Sequence, residues 1–411
     1  MPKTVEIDRE EQLQVEHGSA LEVFRAFLHL GCTSFGGPAA HLGYFRKEFV
    51  DRRQWCSEET LAELIAIAQA LPGPSSSQVG FALGILRAGW LGGIAAWIGF
   101  TAPSALLMLL FASGISLLNR SFSIGLIHGL QLVAVAVVAQ AVLGMQRTLA
   151  PDRARILLAI LATGLTLMLP AQIATAASIL IGAFFGIFFL NDREPTVQES
   201  ALLPRSKVIG FTAAIAFLLL LALSFLNSGR DSHPAGAVFA ALYRCGALVF
   251  GGGHVVLPLL EDAIVTKGWI PQQNFLAGYG AAQALPGPLF SIGAFLGAEV
   301  KSGSYAWLYG FIGLIAIFLP GLLAITALLP LWSSLRTNRR FSAMLRGMNA
   351  SVVGVLIAAL FHPLWTSTIH SSVDFWIALV EFSCLMLWNA RPWIVVLGVS
   401  AVAIVLQAVS S

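Results

Sequence analysis

Two stretches of the chain, QALPGPSSSQ from Gln69 to Gln78 and QALPGPLFS from Gln283 to Ser291, carry Pro-Gly-Pro inside segments that are otherwise apolar and helix-length. Proline in a helix interior removes a backbone hydrogen bond and clashes with the preceding turn, so each segment must break at Pro72, Gly73 and Pro74, and again at Pro286, Gly287 and Pro288. A helix restarting after such a break exposes unpaired N–H groups and the positive end of its dipole, which suits an anion. With Pro74 at the first helical position, the N–H groups and hydroxyls of Ser75, Ser76 and Ser77 face that ligand. The second copy keeps the prolines and the glycine, but of the hydroxyls only Ser291. A Pro kink that merely packs helices is the alternative, and repetition in register weighs against it.

A second pair of breaks is written in FGGPAAH, with Gly36, Gly37, Pro38 and His41, and in FGGGH, with Gly251, Gly252, Gly253 and His254. Glycine lets backbone approach a ligand closely, although small residues also serve simple helix packing. Upstream, Glu22, Arg25 and His29 share one helical face, and Arg244 aligns with His29. A charge at the bilayer centre costs roughly 2.5–3.5 kcal/mol or more, which makes Arg25, His29 and Arg244 candidates for an anion path; snorkelling is the alternative for Arg25. His128 and Arg346 open equivalent helices, each followed three residues later by an amide, Gln131 or Asn349. Glu63 and Glu299 lie within or beside the PGP segments, and a proton-relay role for Glu63 is the weaker option.

These residues must be positioned by a membrane bundle. Of 411 residues, 57% are hydrophobic and only 11% charged, and apolar runs of about 17–25 residues recur without alternation. The fold class is an all-α polytopic membrane protein, not a barrel. The acidic start, MPKTVEIDREEQLQVEHGSA, lacks the layout of a cleavable signal and reads as a cytoplasmic lead-in. A net charge of +3 scattered over loops argues against nucleic acid. Cys32, Cys56, Cys245 and Cys384 have no metal-ligand spacing. No run of the form G-x-x-x-x-G-K followed by Ser or Thr is present, so neither metal, cofactor nor ATP hydrolysis is expected.

The halves are copies. Gly31, Phe35, Gly36 and Gly37 recur as Gly246, Phe250, Gly251 and Gly252 at an offset of 215, and the QALPGP run recurs at 214. Such an order of matches marks an internal repeat. Loop charge tests its orientation. Arg46, Lys47, Arg52 and Arg53 follow the first segment, and Arg147, Arg153 and Arg155 the fourth, while their second-half counterparts hold only Lys267. Arg336, Arg339 and Arg340 follow the third segment of the second half, against Arg120 alone in the first. The basic side swaps, which predicts inverted-topology repeats with re-entrant or broken helices, the N-terminus in the cytoplasm and the C-terminus outside. The expected organisation is a lead-in over 1–19, a first repeat over 20–190, a polar linker with a connecting helix over 191–236, and a second repeat over 237–411.

With FGGP and FGGGH near the start of each half and QALPGP in both, the chain resembles the chromate ion transporter family in its long, two-domain form. The resemblance covers nearly the whole chain. It implies export of chromate from a bacterial cytoplasm through a multi-pass protein of the plasma (inner) membrane, with resistance as the result and sulfate as a competing or exchanged anion. It implies that Gly36, Gly37, Pro38, Pro72, Gly73, Pro74, Gly251, Gly252, Gly253, His254, Pro286, Gly287 and Pro288 form the functional core. Expected partners are chromate and sulfate, the lipid bilayer and, as an open option, a second copy in a homodimer. Pro38 becomes Gly253, and SSS becomes LFS, between the halves, which makes an asymmetric site the expectation. A passive anion channel is the alternative, and a membrane-embedded enzyme is disfavoured because the polar residues are dispersed in pairs.

Overall fold

The computed structural model describes residues 18–115, 120–169, 171–190, 206–226, 235–250, 253–301, 303–335, 338–388, 390 and 392–410. Most of the lead-in, the polar part of the linker, and Gly251 and Gly252 therefore lie outside the described residues. The first half runs α1 (Ala20–Thr33), α2 (Gly37–Phe45), α3 (Glu58–Ala70), α4 (Ser75–Ile115), α5 (Arg120–Leu149), α6 (Arg153–Met168) and α7 (Ala171–Phe189). Between the halves stands α8 (Lys207–Leu226). The second half runs α9 (Ala235–Leu248), α10 (Val256–Leu260), α11 (Gln272–Ala284), α12 (Ile292–Val300), α13 (Ala306–Leu328), α14 (Trp332–Leu335), α15 (Arg339–Ala359), α16 (Thr366–Thr368), α17 (Ser372–Leu387) and α18 (Pro392–Ser410). No strand occurs among the described residues. The protein is an all-α, multi-pass membrane protein, with five helical stretches among the described residues long and apolar enough to cross a bilayer.

Local chemistry explains where helices begin. Ser19, Ser57, Asp152 and Asn338 each accept a first-turn N–H through the side chain, and Ser371 with Asp374 forms a reciprocal capping box. These side chains satisfy donors that the helix itself cannot.

The longest stretch, α4, is a hairpin. Ala88 (φ −143°, ψ 29°) and Gly89 (φ 64°, ψ −161°) depart from helical geometry. The Gly84 and Gly92 backbones then meet face to face, and Gly93 sits against Phe81 and Ile85, which is possible only if residues 75–88 fold back on 90–115. The second half makes the same hairpin from α12 and α13, turning near Gly303 (φ 87°), with Gly293 against Gly313. Small residues set these distances because a side chain at either position would occupy the neighbour's backbone. Gly31 of α1 and Gly246 of α9 extend the parallel: the first rests on the Phe100 carbonyl, the second on the Ile317 carbonyl.

The halves are also interlocked. α6 and α7 of the first pack on α15 of the second, and α17 and α18 of the second pack on α5 of the first. In the π-helical turn Arg46–Arg52 that continues α2, Glu48 is buried and takes Arg53 at 2.6 Å and Arg52 at 3.0 Å. Burial alone would push its carboxyl up; the hydrogen bonds from Arg53 and Arg52 outweigh that and hold it below the usual carboxylate range.

Candidate functional site

The helix breaks at 34–37, 71–74 and 285–288 are present, α9 ends at Leu248, and these places meet in crossed pairs. α3 ends at Ala70, Leu71 is extended, Gly73 takes φ +120°, and α4 starts at Ser75. α11 ends at Ala284, Gly287 takes φ +97°, and a short 3-10 turn leads into α12. Between α1 and α2, Ser34 is extended, while Gly36 and Gly37 take φ +100° and +77°. Only glycine adopts such values without strain. The Gly73 N–H donates to the Val249 carbonyl at 2.8 Å, and the Gly287 N–H donates to the Ser34 carbonyl at 2.9 Å. Ser34 and Val249 differ by 215, Gly73 and Gly287 by 214. Each half thus lends its PGP turn to the other half's helix break, and the two contacts exchange under the repeat.

The clasp is close. A Cβ on Gly73 would stand 2.7 Å from Gly321 Cα, and a Cβ on Gly287 would stand 2.9 Å from Ser104 Oγ. Ser104 and Gly321 each follow the proline inside their helix, Pro103 or Pro320, so this contact is reciprocal too. The Gln78 amide bridges the first clasp, donating to the Pro72 carbonyl at 2.8 Å and the Gly321 carbonyl at 3.0 Å.

Pro74 departs from its expected place. Its carbonyl accepts the Gln78 N–H, which makes it the cap residue, one position before the helix, with Ser75, Ser76 and Ser77 filling the first turn. The missing N–H of proline would suit either place; φ locked near −65° leaves its ψ free to turn the chain out of the helix. The first-turn N–H groups still lack intrahelical acceptors.

Around the first-half break the side chains are polar, buried and short of partners. His41 is wholly buried, its Nδ1 3.2 Å from Ser76 Oγ, its ring edge-on to Phe100 at 5.1 Å and beside the Ser34 backbone. The tautomer sets which of Nδ1 and the Ser76 hydroxyl is the donor in this contact. His41 Nε2 has no hydrogen-bond partner within the protein, and neither do Ser34 Oγ, Ser77 Oγ, Gln78 Oε1, Thr101 Oγ1 and Ser291 Oγ. Buried polar atoms are ordinarily paired, so this cluster of groups invites a ligand. The second half does the opposite at matching positions: Val249 for Ser34, Val256 for His41, Phe290 for Ser76, Ile292 for Gln78 and Phe318 for Thr101, all buried. Ser77 and Ser291 alone keep the hydroxyl on both sides.

Other candidates lie elsewhere. Arg25 and His29 are exposed on α1, away from the Val23, Phe27 and Leu30 face that packs on α4. Arg244 is buried and donates to the Ser224 carbonyl near the end of α8, its guanidinium 5.5 Å from the Phe225 ring centre. Pro72 and Pro74 are buried, as is Pro288, and Pro286 is half-buried. Pro38 falls in the first turn of α2, and Gly253 begins the turn before α10; the Pro38 and His254 side chains are outside what is described. Ser34, Gln78, Thr101 and Ser104 escaped the sequence reading. The signal was a Ser before FGG and a TAPS run matched by FLPG, visible only once α4 and α13 are superposed in register.

The chromate transporter family model matches residues 21–187 and again 236–405. The chain belongs to the chromate transporter family. It is accordingly a membrane transporter rather than an enzyme. A chromate transport protein of Pseudomonas aeruginosa is 28% identical over 348 residues, covering 82% of this chain and 79% of that one. A probable chromate transport protein of Synechococcus elongatus is 26% identical over 406 residues, covering 94% and 95%. An uncharacterized transporter of Methanocaldococcus jannaschii is 26% identical, covering 87% of each. No solved structure matches the chain. Each of the two matched regions holds one PGP turn and one FGG motif.

Proposed function

We propose that this protein exports chromate from the bacterial cytoplasm and holds the dianion at the first-half break, between α2 and the start of α4. One observation carries the reading: His41 meets Ser76 in the first turn of α4, beside the break at Ser34 that takes the opposite PGP clasp, and His41 Nε2 and the buried hydroxyls of Ser34 and Ser77 have no partner within the protein. Hydroxyls, an imidazole N–H and first-turn amides match a tetrahedral oxyanion without a fixed cation, so the anion is bound but can leave. Sulfate has the same shape and charge and competes. Inverted repeats are part of the proposal, supported by the swapped loop charges and the reciprocal clasps; an axis in the membrane plane lets the halves rock around one site. At 100 mV, inside negative, expulsion of two charges is favoured by roughly 4.6 kcal/mol.

The test is chromate flux in proteoliposomes with sulfate as competitor. His41→Leu and Ser77→Ala should each raise the apparent KM at least about tenfold, as expected for a lost hydrogen bond to a charged group worth roughly 1.5–3 kcal/mol. Val256→Ala, at the matching apolar position, should leave KM within about twofold. Wild-type KM values in both polar variants would overturn the site.

A further inference from the structure

The second half contains an isolated acid that the anion site does not use. Glu381 on α17 is 1% exposed, and neither carboxyl oxygen has a hydrogen-bond partner within the protein. Its depth follows from how α17 lies on α5. His128 Nε2 meets Asp374 Oδ1 at 2.8 Å, and further along Gln140 donates to the Leu385 carbonyl at 3.4 Å. The helices therefore run parallel, and Glu381, seven residues after Asp374, stands level with Ala134, Val135 and Ala136, all buried. Those residues are the middle of the apolar stretch Ile124–Leu149.

Among the described residues no ion pair reaches it. α18, which also packs on α17, has no ionisable residue, and α5 carries His128 level with Asp374, Arg120 about two turns before it and Arg147 near its other end. On α17 the other titratable groups are Asp374 and Cys384, with His370 just before the helix and His362 in the turn before α16. An unpaired carboxylate in hydrocarbon is expensive, so the group rests as the neutral acid. α6, the counterpart in the first half, contains no carboxylate; the acid is an addition to one repeat.

The start of α17, about two turns before Glu381, borders open space. An open depression of about 480 Å³ is lined by Trp365, His370, Ser371, Ser372 and Phe375. Beside these residues in the chain, Asp374 accepts the His370 and Ser371 N–H groups through Oδ2, while Oδ1 faces His128. From Asp374 to Glu381 is about 10 Å along the helix at 1.5 Å per residue. By the loop charges this end is the outer face.

We propose that Glu381 is a proton-binding site at the bilayer midplane, loaded from outside through the His128–Asp374 pair, so that one proton enters as each chromate leaves. The proton passes from water to the pair and then to the carboxyl, and leaves to the cytoplasm when the halves rock; no bond to the anion is made. The proposal rests on the transport reading above. In proteoliposomes with voltage clamped to zero by potassium and valinomycin, an imposed gradient of one pH unit should change the steady chromate ratio about tenfold, and a lumenal pH dye should report proton movement with the anion. Glu381→Gln should lose both responses, and Glu381→Asp should keep part of them. Infrared spectra of the wild type at neutral pH should contain a protonated-carboxyl C=O band that Glu381→Gln removes. Chromate flux without proton movement, a Glu381→Gln variant that responds like wild type, or absence of that band overturns the proposal. Absence of any chromate flux in the wild type would instead overturn the transport reading, and the infrared band would still report on Glu381.

Discussion

Replacing Gly73 by alanine should damage the protein far more than the same change at a glycine of similar backbone but open surroundings. Gly73 sits at φ +120°, its N–H bonded to Val249 and its Cα facing Gly321. Gly268 sits at φ +69° with nothing within 4 Å of an added Cβ. Gly268→Ala meets only the left-handed conformational cost, about 1–2 kcal/mol. Gly73→Ala meets a comparable cost, then roughly 1–3 kcal/mol for pushing Gly321 away and about 0.5–1.5 kcal/mol for the lengthened bond to Val249. The Gln78 bridge to the Gly321 carbonyl must loosen with them. The difference between the variants should be roughly 2–4 kcal/mol. Thermal unfolding in detergent micelles measures it, with chromate flux as the second readout, where Gly73→Ala should be inactive and Gly268→Ala active. Equal stability and equal flux in the two variants would refute the clasp as the element holding the halves together.

Glu48→Gln should lower the unfolding midpoint at neutral pH. Because the folded carboxyl is held below its usual range, its stabilisation is complete above the unfolded value and lost as pH falls through the folded one, so an acid titration of wild type should converge on the variant. Arg244→Met should destabilise by roughly 1.5–3 kcal/mol through the lost charged hydrogen bond to the Ser224 carbonyl, while the apparent KM for chromate stays within about twofold; a tenfold rise in KM at unchanged stability would return Arg244 to the anion path.

Much of this architecture could be read directly. Pro-Gly-Pro forces a break wherever it occurs in a helix, so Pro72 to Pro74 and Pro286 to Pro288 were legible from covalent geometry, and so were the apolar spans. The reversal at Ala88 and Gly89 falls where one apolar run ends near 86 and the next begins near 89, but the packing of Gly84 on Gly92 is not written in LRAGWLGG. Arg25 and His29 illustrate a different limit. Helical periodicity placed them on one face, but periodicity does not say which face turns inward, and Val23, Phe27 and Leu30 took that side.

By itself, then, the order of residues determined that the chain is helical, membrane-spanning, duplicated and broken at both PGP turns, because hydropathy, proline sterics and internal repetition are local properties. Only the tertiary structure decided that each PGP turn closes on the opposite half and that His41 meets Ser76. It also decided that Glu381, unremarkable in the run ALVEFSC, lies unpaired at the middle of the bundle. Those facts depend on contacts between residues up to 253 positions apart, as for Ser34 and Gly287, and such pairings follow from how helix faces fit together rather than from any one segment.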